Sequence, residues 1–146
     1  MKIVSSGQTG AEIGGLVAAK QHGVDTGGFA VMGFETEDGN KPEYELEYNL
    51  VDENLPHYAA NIKNVIYSDS TFIFTDYPEA PCPNSIVFIC KERGKPYAIN
   101  PTETDIIRYI KIMGLNTINI YGDYESITPG IEDRVKKLLL DVLGMI

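Results

Sequence analysis

Residues 2–12, Lys2-Ile3-Val4-Ser5-Ser6-Gly7-Gln8-Thr9-Gly10-Ala11-Glu12, run from an apolar strand through a glycine-containing turn into a helix. Lys2 to Ser5 reads as a short buried strand, the helical pattern holds from Ala11 to His22, and Gly23 supplies the stop. A strand feeding a helix through a tight turn is half of a βαβ unit. The fold therefore depends on whether the alternation repeats downstream.

It does repeat. Thr26 to Phe29 is a second extended piece, followed by a long polar segment, Met32 to Asn54, with turn signals at Asp38-Gly39 and Asn40-Lys41-Pro42. From Pro56 to about Tyr67, Tyr58, Ala59, Ile62, Val65 and Ile66 recur at helical spacing. Thr71 to Thr75 is a strand, and Tyr77 to Pro83 a proline-rich loop with Cys82 inside it. Asn84 or Ser85 then caps a helix closed by Gly94. Pro96 to Ile99 is a short strand, Thr102 and Asp105 form a capping-box pattern ahead of a helix ended by Gly114, and Thr117 to Tyr121 is a β-branched strand. Thr128-Pro129 opens a final amphipathic helix through Val135, Leu138, Leu139, Val142 and Leu143. This order predicts an α/β, Rossmann-like, mostly parallel sheet flanked by helices on both faces, as one domain over residues 1–146. In such sheets ligands sit beyond the carboxyl ends of the strands. The loops there are Ser5 to Gly10, Asp76 to Ser85, Asn100 to Thr102 and Gly122 to Ser126.

A chain of 146 residues encloses one core and not two. No apolar run reaches the ~18 residues of a membrane span, and the amino terminus opens directly into a strand, so a cytoplasmic location is expected. Two cysteines, Cys82 and Cys90, imply no disulfide framework; Cys90 lies in the apolar run Ile86 to Cys90 and reads as a buried hydrophobe. A net charge of −9 argues against nucleic acid and anionic membrane surfaces as partners. It does not exclude a small anion, which backbone N–H groups can hold. Self-association into a homo-oligomer is the remaining partner expectation.

The candidate site starts at Ser5, Ser6, Gly7, Gln8, Thr9 and Gly10. Glycines there would let backbone approach a phosphate, with the helix N–H groups aimed at it. A plain strand-to-helix turn explains the same residues equally well. Gly27-Gly28 is either a tight turn or a second close approach, and Ser68-Asp69 either satisfies a helix-to-strand connection or binds a ribose. In Gly122-Asp123-Tyr124-Glu125-Ser126, Tyr124 could stack on a base and Glu125 accept from a hydroxyl, or Tyr124 could be a surface aromatic. Asn84 and Ser85 join the list through their loop. His22 and His57 lack partners at ligand spacing, so no metal is expected, and the acidic stretch from Glu35 to Glu47 reads as a solvated face or lid. On this reading glycine-lined crossings, not cations, make the pocket, and a side chain at Gly10 would meet ligand phosphate.

The block Ile3 to Glu12, together with Thr26-Gly27-Gly28-Phe29, Glu37-Asp38-Gly39, Asn64-Val65, Ser68-Asp69-Ser70-Thr71, Gly94-Lys95-Pro96, Gly122 to Ser126 and Pro129-Gly130-Ile131, resembles the molybdenum cofactor carrier-like proteins. Those belong to the SLOG group of Rossmann-like folds, related to the lysine-decarboxylase-like (LOG) proteins. The resemblance implies a nucleotide-like ligand, with Gly7, Gln8, Thr9 and Gly10 cradling phosphate, and Gly27, Gly28, Asp69, Gly122, Glu125 and Ser126 lining the cleft. The family's three arginines are absent: Ile13, the Asn61-Ile62 region and Tyr124 stand at those places. Pro81-Cys82-Pro83-Asn84-Ser85 replaces a Gly-Gly-Thr turn. Without fork-shaped cations, recognition shifts toward backbone amides and stacking.

Three functions follow. The first is non-catalytic carriage, sensing or sequestration of a phosphate-bearing nucleotide-like molecule, either an ADP-ribose-type signalling nucleotide or a molybdenum cofactor-like ligand. The second is a hydrolase cleaving an N-glycosidic or phosphoester bond, with Glu12 or Asp69 as general acid or base. The third is an assembly or interaction module.

Overall fold

In the computed structural model, which describes residues Met1–Ile146, β1 (Lys2–Val4) lies in the middle of the sheet. It pairs in parallel with β2 (Asp25–Phe29) on one side and with β8 (Thr117–Gly122) on the other. Beyond β2 lies β5 (Leu50–Val51); beyond β8 lie β6 (Ser70–Phe74) and β7 (Tyr97–Ile99). The order of the six strands is β5-β2-β1-β8-β6-β7, and every pairing is parallel. The strand that comes last in the chain thus sits beside the first.

Parallel neighbours need crossovers, and these are the helices that cover the sheet. On one face α1 (Ala11–Gln21), α5 (Glu103–Met113) and α6 (Ile131–Leu143) bury Ala11, Ala18, Ile106, Val135, Leu139 and Val142 against Ile3, Phe72, Ile118 and Ile120. On the other, α3 (His57–Tyr67) and α4 (Pro81–Glu92) close over Ile73 and Tyr121 with Val65, Ile86 and Cys90. The α/β Rossmann-like class predicted from the sequence is therefore the observed one. Cys90 is buried as expected. No helix is long and apolar enough to cross a membrane.

The polar segment after β2 is more ordered than its sequence suggests. A 3₁₀ turn (Met32–Phe34) leads into an antiparallel hairpin of β3 (Glu35–Thr36) and β4 (Gly39–Asn40), then α2 (Tyr44–Tyr48), then β5. Tyr48 and Leu50 anchor this excursion against Ile13 and Leu16 of α1. Two helix starts also move. α4 begins at Pro81, earlier than the expected Asn84 or Ser85, because proline's fixed φ suits a first helical turn. Cys82 is accordingly an exposed first-turn residue, not a loop residue. α6 begins at Ile131 behind Gly130 in the left-handed region at φ 92°, later than Thr128. The Thr102–Asp105 capping box is present in both directions.

Candidate functional site

At the carboxyl edge, the Ser5–Gly10 turn meets the 123–128 loop and the β3–β4 hairpin. Most of the turn's N–H groups are taken up internally. Ser5 N–H donates to Gly27 O, Gly7 N–H to Ser5 Oγ, Thr9 N–H to Gln8 Oε1 and Ala11 N–H to Asp123 O. Glu12, 1% exposed, reaches back into the turn, where its Oε1 accepts from Ser6 N–H at 3.2 Å and from Ser6 Oγ at 2.5 Å. Its Oε2 is buried without a partner. Burial raises this carboxyl to about 7, against the lowering pull of hydrogen bonds from Ser6 and from the Gln8 backbone.

The glycines are filled crossings. A Cβ on Gly10, at φ 84°, would lie 2.2 Å from Asp123 O; one on Gly28, at φ 124°, would lie 2.2 Å from Ser5 O. On Gly122 it would meet Phe74 O at 2.2 Å, on Gly7 the Leu50 side chain at 2.7 Å, and on Gly27 the Lys2 side chain at 2.7 Å. These glycines let strands and loops of the protein approach one another, and the room a side chain would need there is taken by protein atoms. A side chain at Gly10 would meet Asp123, not ligand.

Two hollows lie beside the turn, and His57 and Tyr124 line both. One, of about 450 Å³, is faced by Gln8, Val31, Met32, Glu35 and Glu37. The other, of about 550 Å³, is mostly apolar and faced by Tyr77, Pro81, Cys82, Tyr121 and Ile127. Between them Tyr124 Oη and His57 Nε2 are 2.6 Å apart. Burial, and next the charge of Glu12, pushes the Tyr124 hydroxyl up to about 12. Burial also lowers His57, with Glu35 opposing. Both groups are then neutral, and they share one hydrogen bond in which the tyrosine hydroxyl donates to Nε2 in one imidazole tautomer and accepts from Nε2–H in the other.

The hairpin is strapped across this edge. Glu37 accepts from Thr9 Oγ1 at 2.5 Å, from Ser126 N–H at 3.1 Å and from Ser126 Oγ at 2.5 Å, while Gln8 Oε1 accepts from Glu37 N–H at 2.8 Å. Although burial works the other way, the bonds from Ser126 and Thr9 hold the Glu37 carboxyl below its usual range.

The sequence matches the circularly permutated YpsA SLOG family (cpYpsA) over residues 3–143. The chain belongs to that family. The cpYpsA fold here is similar, with a TM-score of 0.83, to the crystal structure of a candidate molybdenum carrier protein from Syntrophus aciditrophicus SB. That protein is 27% identical, and the match covers 97% of this chain and 93% of the other. Among curated proteins none matches.

The site residues expected from sequence divide sharply within this cpYpsA chain. Gln8, Gly122 and Tyr124 line the hollows. Ser5, Ser6, Gly7, Thr9 and Gly10 are buried and line neither hollow. Asp69 lies at the opposite, amino edge, where it accepts from Thr117 N–H at 2.8 Å and Asn116 N–H at 2.9 Å, bonds that hold its carboxyl low. It ties β6 to β8 and lines a different hollow, so neither a ligand contact nor a general acid at this site is open to it. Glu125 caps α6, accepting from Gly130 N–H at 2.6 Å and Glu132 N–H at 3.0 Å. Ser126 belongs to the strap. Asn84 and Ser85, both on α4, bond back to Glu79 O ahead of the helix and to Cys82 O within it, and line neither hollow. The residues missed were His57, Met32, Glu35, Tyr77 and Cys82. Pro56-His57 at a helix start was the available signal, since it puts an imidazole at the mouth of a crossover on the ligand edge.

Proposed function

We propose that this cpYpsA chain is a non-catalytic binder of a nucleotide-like small molecule, held across the two hollows that share His57 and Tyr124. One observation carries this reading: a single hydrogen-bonded aromatic pair stands between an apolar, aromatic chamber and a polar one, at the ligand-binding edge of a parallel sheet. A flat ring suits the chamber of Tyr77, Tyr121 and Tyr124, and hydroxyl or amide edges suit Gln8, Glu35 and the His57 imidazole. Nucleosides, ADP-ribose-type nucleotides and molybdenum cofactor-like ligands all share a ring with polar edges. The molybdenum carrier among the structural relatives keeps the last in view. Mass spectrometry of small molecules retained through purification is the direct test. The expected result is a ring-bearing ligand present in the parent chain and lost in Tyr124→Ala; retention by that variant would reject the site.

Glu12 favours a second reading, an N-glycosidic hydrolase. A carboxyl raised to about 7 with one oxygen unpartnered is suited to proton transfer. Turnover of a nucleoside panel, abolished in Glu12→Gln, would support it; unchanged turnover in that variant would exclude it.

A further inference from the structure

Several of the donors with which a strand-to-helix turn normally grips a phosphate are already taken up from within this protein. Backbone N–H groups of Ser6 and Gln8 converge as an anion nest, and the carboxyl of Glu12 sits in it. The neighbouring donors on Gly7 and Thr9 are bonded to the side chains of Ser5 and Gln8. The close approach that Gly10 could give to a ligand is filled by Asp123 O. Two further helices reach the hollows with their first turns, α3 at His57 and α4 at Pro81 and Pro83, and the prolines of α4 have no N–H to offer. No lysine or arginine lines either hollow, while Glu35, Glu37 and Asp123 do.

We infer that the ligand of this site is an uncharged ring-bearing molecule of nucleoside type, because the carboxyl of Glu12 stands where a ligand phosphate would otherwise be held. The inference rests on the binding reading above and narrows it. A phosphate brought to these hollows would lose its hydration without gaining a cation, and would face three carboxylates. An uncharged nucleoside meets none of those costs. Its ring enters the apolar chamber, and its hydroxyls meet Glu35 and Gln8.

The test is calorimetric titration of the full chain with adenosine and guanosine, each against its 5′-monophosphate, and with ADP-ribose, in the parent and in Tyr124→Ala. The expected result is a nucleoside bound at least about tenfold more tightly than its monophosphate, and lost in Tyr124→Ala. A monophosphate or ADP-ribose that binds as tightly or more tightly, and is still lost in Tyr124→Ala, overturns this inference and leaves the site intact. Binding untouched by Tyr124→Ala, or none by any probe, overturns the site reading and this inference with it. Inorganic phosphate gives an arm independent of ligand identity. Glu12→Ala empties the nest, so phosphate should raise the melting temperature of the variant and not of the parent; a folded variant that phosphate does not stabilise counts against the proposal. Should Glu12→Ala not fold, the Ser6 amide resonance of the parent decides: unmoved by excess phosphate it supports the occupied nest, displaced by it the inference fails.

Discussion

Glu12 makes folding pH-dependent in an unusual direction for a carboxylate. Its folded value is raised from 4.5 to about 7, so between those values the folded chain holds a proton that the unfolded chain has lost. Stability is therefore greatest below the unfolded value and falls as pH rises through about 7, by on the order of 3 kcal/mol once the charge is fully buried. The groups that feel this charge, Tyr121 and Tyr124, are themselves raised, chiefly by burial, and stay neutral throughout. Glu12→Gln should flatten the fall in chemical-denaturation midpoint between pH 5 and pH 8 seen for the parent; parallel curves for the two chains would contradict the assignment. Gly10 carries the lesson about what residues disclose. A glycine reports that a side chain will not fit, and says nothing of what stands in the way. From sequence it read as an approach to ligand; in the structure the obstacle is Asp123 O. Gly10→Ala should accordingly cost on the order of 3 kcal/mol, read from the denaturation midpoint, by combining a backbone clash with a positive φ. A near-neutral effect would mean that the crossing is open after all.

Among the elements, those with strong local signals were legible: the alternation of strands and helices, the Thr102 capping box, and the Gly114 stop in the left-handed region. The elements missed depend on tertiary partners. β5 is two residues long and exists through its register with Gly28 and Phe29, and the β3–β4 hairpin is held by Gln8, Thr9 and Ser126 from elsewhere in the chain. Neither leaves a periodic trace. The hairpin also explains why acidic residues that resembled a solvated face include one with a fixed duty. Glu37→Ala should free the strap: the Glu37 and Ser126 amides should exchange faster with solvent, with a stability change under about 1 kcal/mol because the contact is largely exposed. Protection unchanged at both amides would show that the hairpin is held by other means.

For the whole molecule, the class of fold could be read from the chain because a parallel sheet demands alternation, whereas the floor of the site could not. Which end of a strand a residue occupies decides its role, and Asp69 precedes β6 where Phe74 ends it. The resemblance pointed to Asp69 as a cleft residue, and the topology places it across the sheet. The same topology makes the carboxyl-terminal part indispensable. A chain cut after Met113 lacks β8 and α6, hence both the strand between β1 and β6 and a large part of the core over them. It should show no cooperative thermal transition by circular dichroism; a sharp melt would mean that β1 and β6 can pair directly.

Because β8 fills the gap between β1 and β6, the sheet cannot be assembled in the order in which a ribosome delivers it. The first strand must wait, with one edge bare, until residues from the other end of the chain emerge. During synthesis the nascent chain thus carries an unpaired apolar ribbon, which makes that interval, not the mature state, the point at which it most needs a chaperone.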